Sequence, residues 1–358
     1  MNIPFLLAPM AELSHRALRE LIEGFAIYFN GYYCGCDEYF TEMISAGALV
    51  SRGLFEKWYT DTGPCPRKVV CQLTGHDAEQ IALAAAVLDQ GECAGIDLNM
   101  GCSAPTIVRT GAGVSWMASI DKAGALVQKV RKQVRRRLSV KLRIGFEDDF
   151  DYLVRFCRRL EEEGAEFITL HPRTAKEKFK RSCRWDYVES LSRILRIPVA
   201  GNGDIADAAA LAQKASVKVG ERPYGALMAG RAAVRCPWIF AQARMLEIRR
   251  REAPVNAGIS TGRPPLTRID LEETALRFLD LLSRYQPPEF HQSRARRFFN
   301  YFCENFTWAH FLRTRLNRET SPGRMAKVLQ AYIQENPGEK FVNLEKNGGN
   351  FYSDRQGE

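Results

Sequence analysis

Residues 140–171 read VKLRIGFEDDFDYLVRFCRRLEEEGAEFITLH. The stretch opens on a short, strand-like run with apolar Val140, Leu142 and Ile144, and crosses a glycine and an acidic turn. It continues with helical periodicity over Tyr152–Glu163 and closes on a second apolar run, Phe167–Leu170. Runs this apolar, alternating with amphipathic helices, are expected of strands buried on both faces of a parallel sheet. The same unit recurs on either side. Strand-like runs fall at Ile3–Ala8, Ala26–Phe29, Val69–Leu73, Gly95–Leu98, Val140–Ile144, Phe167–Leu170, Ile197–Ala200 and Ala226–Ala229. Helical stretches lie between them, around His15–Glu23, Ala78–Gln90, Asp121–Arg137, Tyr152–Glu163, Tyr187–Arg196, Asp207–Lys214 and Trp238–Arg250. Eight such units predict a closed (β/α)8 barrel of the TIM type. An open dinucleotide-binding sheet is disfavoured. Gly111-Ala112-Gly113 lacks the third glycine of that fingerprint and follows a loop rather than the first strand.

Past the barrel the composition changes. The expected division is a catalytic barrel over 1–248, a linker over 249–268 rich in proline, glycine and small residues, and a small all-α domain over 269–336. Within that domain helices are predicted over Leu271–Tyr285, Ser293–Arg315 and Arg324–Glu335, and the tail 337–358 is expected to be poorly ordered. Of the 358 residues, 46% are hydrophobic and 26% charged, which excludes a disordered tail or a fibre. The net charge of +9 favours an anionic partner, nucleic acid before membrane. The most apolar helical stretch, Ile81–Leu88, falls far short of the ~20 residues of a membrane span. The N-terminus has no basic n-region, and the ten scattered cysteines read as reduced thiols of a cytoplasmic protein. They lack zinc-ligand spacing, so no metal is expected.

In such barrels the catalytic groups stand at the C-terminal ends of the strands. Reading those ends gives Pro9-Met10-Ala11, Gln72, Asn99 through Cys102, Lys141 with Arg143, His171 with Arg173, Asn202-Gly203-Asp204 and Gly230-Arg231. The glycines after strands seven and eight, with Arg231, suit a phosphate. Lys141 lies inside a buried strand, where it can meet an anion or electron-rich ring, or form a Schiff base. Cys102 follows strand four in a loop, where a thiol serves as nucleophile, proton donor or plain structural residue. Basic residues cluster in Lys129–Arg143, in Arg173–Arg184 and in His291–Gln330. The last is interleaved with Phe298, Phe299, Tyr301, Phe302, Phe306, Trp308 and Phe311, expected mostly as helix core, with the arginines as phosphate contacts.

With these residues assembled, the chain resembles the bacterial-type tRNA-dihydrouridine synthases. Ala8-Pro9-Met10, Thr41-Glu42-Met43, Gln72-Leu73-Thr74-Gly75, Leu98-Asn99-Met100-Gly101-Cys102, Val140-Lys141-Leu142-Arg143, His171-Pro172-Arg173-Thr174, Asn202-Gly203-Asp204 and Gly230-Arg231-Ala232 follow the family's signatures in order. The likeness is strong over residues 1–245 and weaker near Arg297–Tyr301. It implies a flavin enzyme that reduces the 5,6-double bond of specific uridines in tRNA, in the D-loop, with NADPH as reductant. It implies that Pro9, Met10, Ala11, Gln72, Lys141, His171, Asn202, Gly203, Asp204, Gly230 and Arg231 hold FMN. It further implies Cys102 as proton donor, and Asn99, Arg143, Arg173, Lys176, Lys178, Arg296 and Arg297 toward the uracil and the tRNA. The sequence marks neither a membrane nor a stable protein partner. The alternative is a small-molecule FMN barrel oxidoreductase of the dihydroorotate or enoate type. The chain departs from the family pattern at Ser103, usually proline, at Pro172, usually glycine, and over Glu12-Leu13-Ser14-His15, usually Gly-x-Thr-Asp.

Overall fold

The structure, a computed structural model, describes residues 2–216, 224–252 and 266–344. Residues 253–265 of the expected linker and 345–358 of the expected tail lie outside the described residues. The chain divides into two compact units. The first comprises, of the described residues, 2–14, 37–204 and 224–230; the second comprises 15–36, 205–216, 231–252 and 266–344.

The first unit is built on a closed parallel barrel. Its eight strands are Phe5–Leu7, Glu38–Phe40, Val69–Thr74, Gly95–Met100, Arg137–Gly145, Phe167–Thr174, Val199–Asn202 and Ala226–Ala229. Each pairs in parallel with its neighbour, and the eighth closes on the first with Phe5 opposite Leu227. The intervening helices start at side-chain caps. Asp77 accepts from the backbone N–H groups of Glu79 and Gln80 at the head of Ala78–Gln90, and Asp149 from Tyr152 at the head of Phe150–Glu162. Alternate residues of each strand share the inner face. Toward the strand N-termini that face is apolar, with Leu6, Phe40, Val70, Phe167, Ala200, Ala226 and Met228 in one buried cluster. Arg137 Nη1 donates to Glu38 Oε1 (2.8 Å), joining strands five and two. One period further along, the same face becomes polar.

The second strand corrects the sequence reading. Ala26–Phe29 is the run the sequence marks, but Ile27–Phe29 instead pairs antiparallel with Tyr32–Cys34, and the barrel strand is Glu38–Phe40. The cause is the Asn30-Gly31 turn, with φ of 49° and 79°. Two successive left-handed residues make the turn that folds a strand back on itself. The helix expected over Asp121–Arg137 runs Ile120–Arg131; Lys132, Arg135 and Arg136 lie in the turn that follows, and Arg137 opens strand five.

The second unit is mainly helical. Its elements include Arg16–Glu23, the Ile27–Cys34 hairpin, Ala208–Ala215, Arg231–Arg235, Ile239–Glu252, Leu271–Tyr285, Pro288–Phe302, Ala309–Arg318 and Pro322–Glu335. The single helix expected over Ser293–Arg315 is two, broken at 303–308, where Asn305 Nδ2 donates to the carbonyls of Phe302 (2.9 Å) and Arg235 (2.7 Å). Phe298 stacks on Phe278 at 3.7 Å between centroids, and Phe299, Phe302, Phe306 and Tyr332 complete an aromatic core. Trp308 and Phe311 are exposed. The start of the expected tail is ordered. Pro337–Glu339 turns and Phe341–Asn343 pairs antiparallel with Arg268–Asp270, with Val342 buried opposite Ile269. Two complementary strand edges thus satisfy backbone groups that a loose tail would leave to water. No helix among the described residues is long and apolar enough to cross a membrane.

Candidate active site

The polar inner face is assembled from neighbouring strands at one level. Gln72 pairs in register with Asp97, Asp97 with Ser139, and Asn99 with Lys141. Ser139 Oγ donates to Asp97 Oδ1 (2.6 Å) and Gln72 Nε2 donates to Asp97 Oδ2 (2.7 Å). Asn99 Nδ2 donates to Gln72 Oε1 (2.8 Å). Asn99 Oδ1 accepts the backbone N–H of Gly101 (3.2 Å) and of Cys102 (2.9 Å).

Two titratable groups meet in this layer. Burial pushes the Asp97 carboxyl up to about 6, against the hydrogen bonds of Ser139 and Gln72 and the charges of Lys141 and Arg137. Burial, with Arg143 adding to it, pushes the Lys141 ammonium down to about 8, and Asp97 opposes that. Each group is drawn toward its neutral form by lost hydration.

The loop that carries Cys102 is clamped on its other side. Arg143 Nε donates to the Gly101 carbonyl (3.0 Å) and Val114 N to the Cys102 carbonyl (2.9 Å). Gly113 sits beneath it at φ 62°, and a Cβ there would overlap the Cys102 carbonyl oxygen. The half-buried Cys102 side chain is therefore presented from a fixed backbone.

Strands six and seven supply the opposite wall. Arg173 is buried, and its Nη2 donates to Asp204 Oδ1 (2.6 Å). Its Nη1 reaches His171 Nε2 (3.1 Å) and Cys183 Sγ (2.9 Å). A guanidinium can only donate, so His171 Nε2 is the acceptor in that contact. Burial, helped by the Asp204 charge, pushes the Cys183 thiol up to about 12. Gly203 adopts φ 115°, and a Cβ there would overlap Cys183 Sγ and lie 2.9 Å from His171 Cδ2. Asn202 Nδ2 donates to the Met228 carbonyl (2.8 Å), tying strand seven to strand eight. After strand one, Met10 N donates to Ser14 Oγ (2.9 Å), while Glu12 (φ 63°) donates its N–H to Glu42 Oε1 (2.6 Å). Met10 Sδ lies 3.5 Å from the Cβ position of Gly230.

A family model described as dihydrouridine synthase matches residues 6–336. The chain belongs to the dihydrouridine synthase family. A relative from Aquifex aeolicus named as a probable tRNA-dihydrouridine synthase is 29% identical over 66% of this chain and 71% of its own. A relative of the same name from Rhizobium leguminosarum is 25% identical over 84% of this chain and 85% of its own. A third, from Mycobacterium leprae, is 32% identical over 57% and 53%.

Within this dihydrouridine synthase barrel, Gln72, Asn99, Cys102, Lys141, Arg143, His171, Arg173, Asn202, Gly203 and Asp204 line one face or its rim, and Met10, after Pro9 and before Ala11, adjoins Gly230. Arg231 opens a helix of the second unit, where Arg296 and Arg297 also lie. Several cations on and beside the loop after strand six are engaged within the protein. Arg143 donates inward to the carbonyls of Gly101, Thr174 and Lys178, and Arg173 to Asp204. Arg184 holds Glu177 through both Nη atoms (2.9 and 2.7 Å), which keeps that carboxyl at about 2. Lys176 pairs with Glu147 in solvent, and Lys178 is exposed at φ 52°. Sequence reasoning missed Asp97, Ser139 and Cys183. For Asp97 a signal existed: it stands two residues before Asn99 on a strand, hence on the same face.

Proposed function

We propose that the chain is a tRNA-dihydrouridine synthase that binds FMN in the barrel mouth, takes reducing equivalents from NADPH and reduces a D-loop uridine. The observation that carries this reading is the Cys102 loop, clamped by Asn99, Arg143 and Gly113 above a buried layer holding Lys141 and Asp97.

The residues present fit a flavin. The buried Thr169 Oγ1 has no hydrogen-bond partner among the described residues and lies on the inner face, one strand from Lys141 in register. A largely buried cation beside an open hydroxyl suits the oxygen-rich edge of an isoalloxazine ring. Gly230 carries no side chain at the end of strand eight, which suits close approach of a phosphate to backbone, whereas Gly203 is required by the crowding of Cys183 and His171. When bound, the flavin supplies hydride to carbon 6 of the uracil ring. Gln72, Lys141 and His171, with Met10 and Asn202, would hold it, and Pro9, Ala11, Asp204 and Arg231 complete that set.

Cys102 then acts on carbon 5. Its Sγ–H would donate the proton that completes the saturated bond. Asn99 fixes the backbone from which that thiol projects. Arg143 and Arg173 shape the mouth by holding loops, so their service to the tRNA is indirect. Lys176 and Lys178 on the rim, and Arg296 and Arg297 on the second unit, would contact phosphates; the exposed Trp308 and Phe311 offer faces for unstacked bases. The protein works in the cytoplasm, where tRNA and NADPH are found.

The test is direct. Purified protein with FMN, NADPH and an unmodified tRNA transcript should add two hydrogens to a D-loop uridine, read by nucleoside mass spectrometry. Oxidation of NADPH by a small pyrimidine or enoate in place of tRNA would overturn this reading.

A further inference from the structure

The network beneath Cys102 has a direction. Backbone N–H groups can only donate, so the Asn99 side chain must present Oδ1 to Gly101 and Cys102. Asn99 Nδ2 then faces Gln72, whose Oε1 must point back and whose Nε2 must point away, toward residue 97. An ionised carboxylate at 97 can only accept, and it takes Gln72 Nε2 on one oxygen and the Ser139 hydroxyl on the other. The two amides between are ambivalent, since each carries an acceptor oxygen and a donor nitrogen of similar shape and fits either way round. Fixed groups at both ends remove that freedom. Ser139 could not do this by itself, because a hydroxyl both donates and accepts, and its Oγ also lies 3.4 Å from the Ile96 carbonyl.

We propose that Asp97 is a positioning residue: through Gln72 and Asn99 it sets the orientation of the amide that clamps the Cys102 loop. The inference rests on the reading of Cys102 as the proton donor, but the clamp itself can be measured without substrate. Asp97 is fully buried, and its carboxylate oxygens are taken by Gln72 and Ser139 rather than by the Cys102 loop. Its service is to make one hydrogen-bond pattern obligatory. The carbonyl side of the same loop is held independently, by Arg143 on Gly101 and by Val114 N on Cys102. Loss of the Asp97 constraint should therefore loosen the N–H side selectively.

The experiment uses the full chain without tRNA. Amide hydrogen exchange is followed for the peptide spanning Gly101 and Cys102, and the rate of Cys102 alkylation by iodoacetamide is measured alongside. Asp97→Asn lets residue 97 present either a donor or an acceptor to Gln72. Protection of the two amides should fall about tenfold, and alkylation should change severalfold. Asp97→Asn combined with Gln72→Glu moves the carboxylate one step along. The carboxylate now at position 72 accepts from the amide at position 97 and from Asn99 Nδ2. The orientation of Asn99 is again forced, and protection should return to within about twofold of the original. Thermal melts read the folding of each variant. A single variant that fails to fold beside a double variant that folds with full protection supports the proposal. A single variant with unchanged protection, or a double variant that fails to fold or to restore it, overturns the proposal and leaves the assignment of Cys102 to its own turnover assay.

Discussion

Gly113→Ala tests the clamp through the backbone. Gly113 adopts φ 62°, and an added Cβ would lie 3.1 Å from Cys102 Cβ and 3.0 Å from Ile107 Cγ2, besides overlapping the Cys102 carbonyl oxygen. Carbon atoms settle at about 3.5–4.0 Å, so the Cys102 backbone must retreat by about 0.5–1 Å. Left-handed backbone costs an alanine about 1–2 kcal/mol, and forced repacking adds about 1–3, so a loss of about 2–5 kcal/mol is expected in urea denaturation. A displacement near 1 Å at a reacting group costs about 10² in rate. Single-turnover dihydrouridine formation by the folded variant should fall by about that factor, while reduction of bound flavin by NADPH stays within about twofold of the original protein, because no proton donor is needed there. A Gly113→Ala protein of unchanged stability and unchanged transfer rate would refute the claim that this loop is held tightly for the chemistry.

Two further outcomes follow from the titrating groups. Burial, with Arg294 and Arg19 adding to it, holds His15 well below the ordinary histidine range. Below about pH 6.5 the unfolded chain therefore binds one proton more than the folded chain, and stability falls by about 1.4 kcal/mol per pH unit of acidification until the folded-state value is reached. Urea midpoints across pH 8 to 5 should lose this slope in His15→Gln, and equal slopes would remove His15 from the balance. Lys141, pushed down to about 8 by burial and by Arg143, gives up its charge as pH rises through that value. FMN binding to the apoprotein, followed by flavin fluorescence, should weaken above pH 8, and Lys141→Arg should flatten the curve; the same pH dependence in the variant would assign it elsewhere.

The barrel was legible because its strands announce themselves one at a time. Ala226–Ala229 is a continuous apolar run and Val69–Leu73 is apolar but for Gln72; both are bounded by turns, and the structure extends them by at most one residue. The second strand failed because Glu38–Phe40 has no apolar run of its own, while the hairpin before it is aromatic and partly exposed. The site was half legible. Strand-end positions gave Gln72, Asn99, Lys141, His171 and Asn202, since each follows from period two along its own strand. Asp97 acquires its meaning from Gln72 and Ser139 on the strands either side, and that register is invisible in any single run. The partners of the arginines were hidden for a related reason. Arg143 and Arg173 are cations by composition, yet loop carbonyls, the Asp204 carboxylate and the Cys183 sulfur turn them inward.

The central claim is that Cys102, and no other thiol, hands the second hydrogen to the uracil ring. The measurement that reaches it most directly is a single-turnover reaction of Cys102→Ala, loaded with FMN and reduced by NADPH, against an unmodified tRNA transcript. The account predicts flavin reduction at the rate of the original protein and dihydrouridine formation slower by about 10²–10⁴, the usual contribution of a positioned acid, with Cys34→Ala retaining full transfer. Undiminished dihydrouridine formation by Cys102→Ala would contradict it.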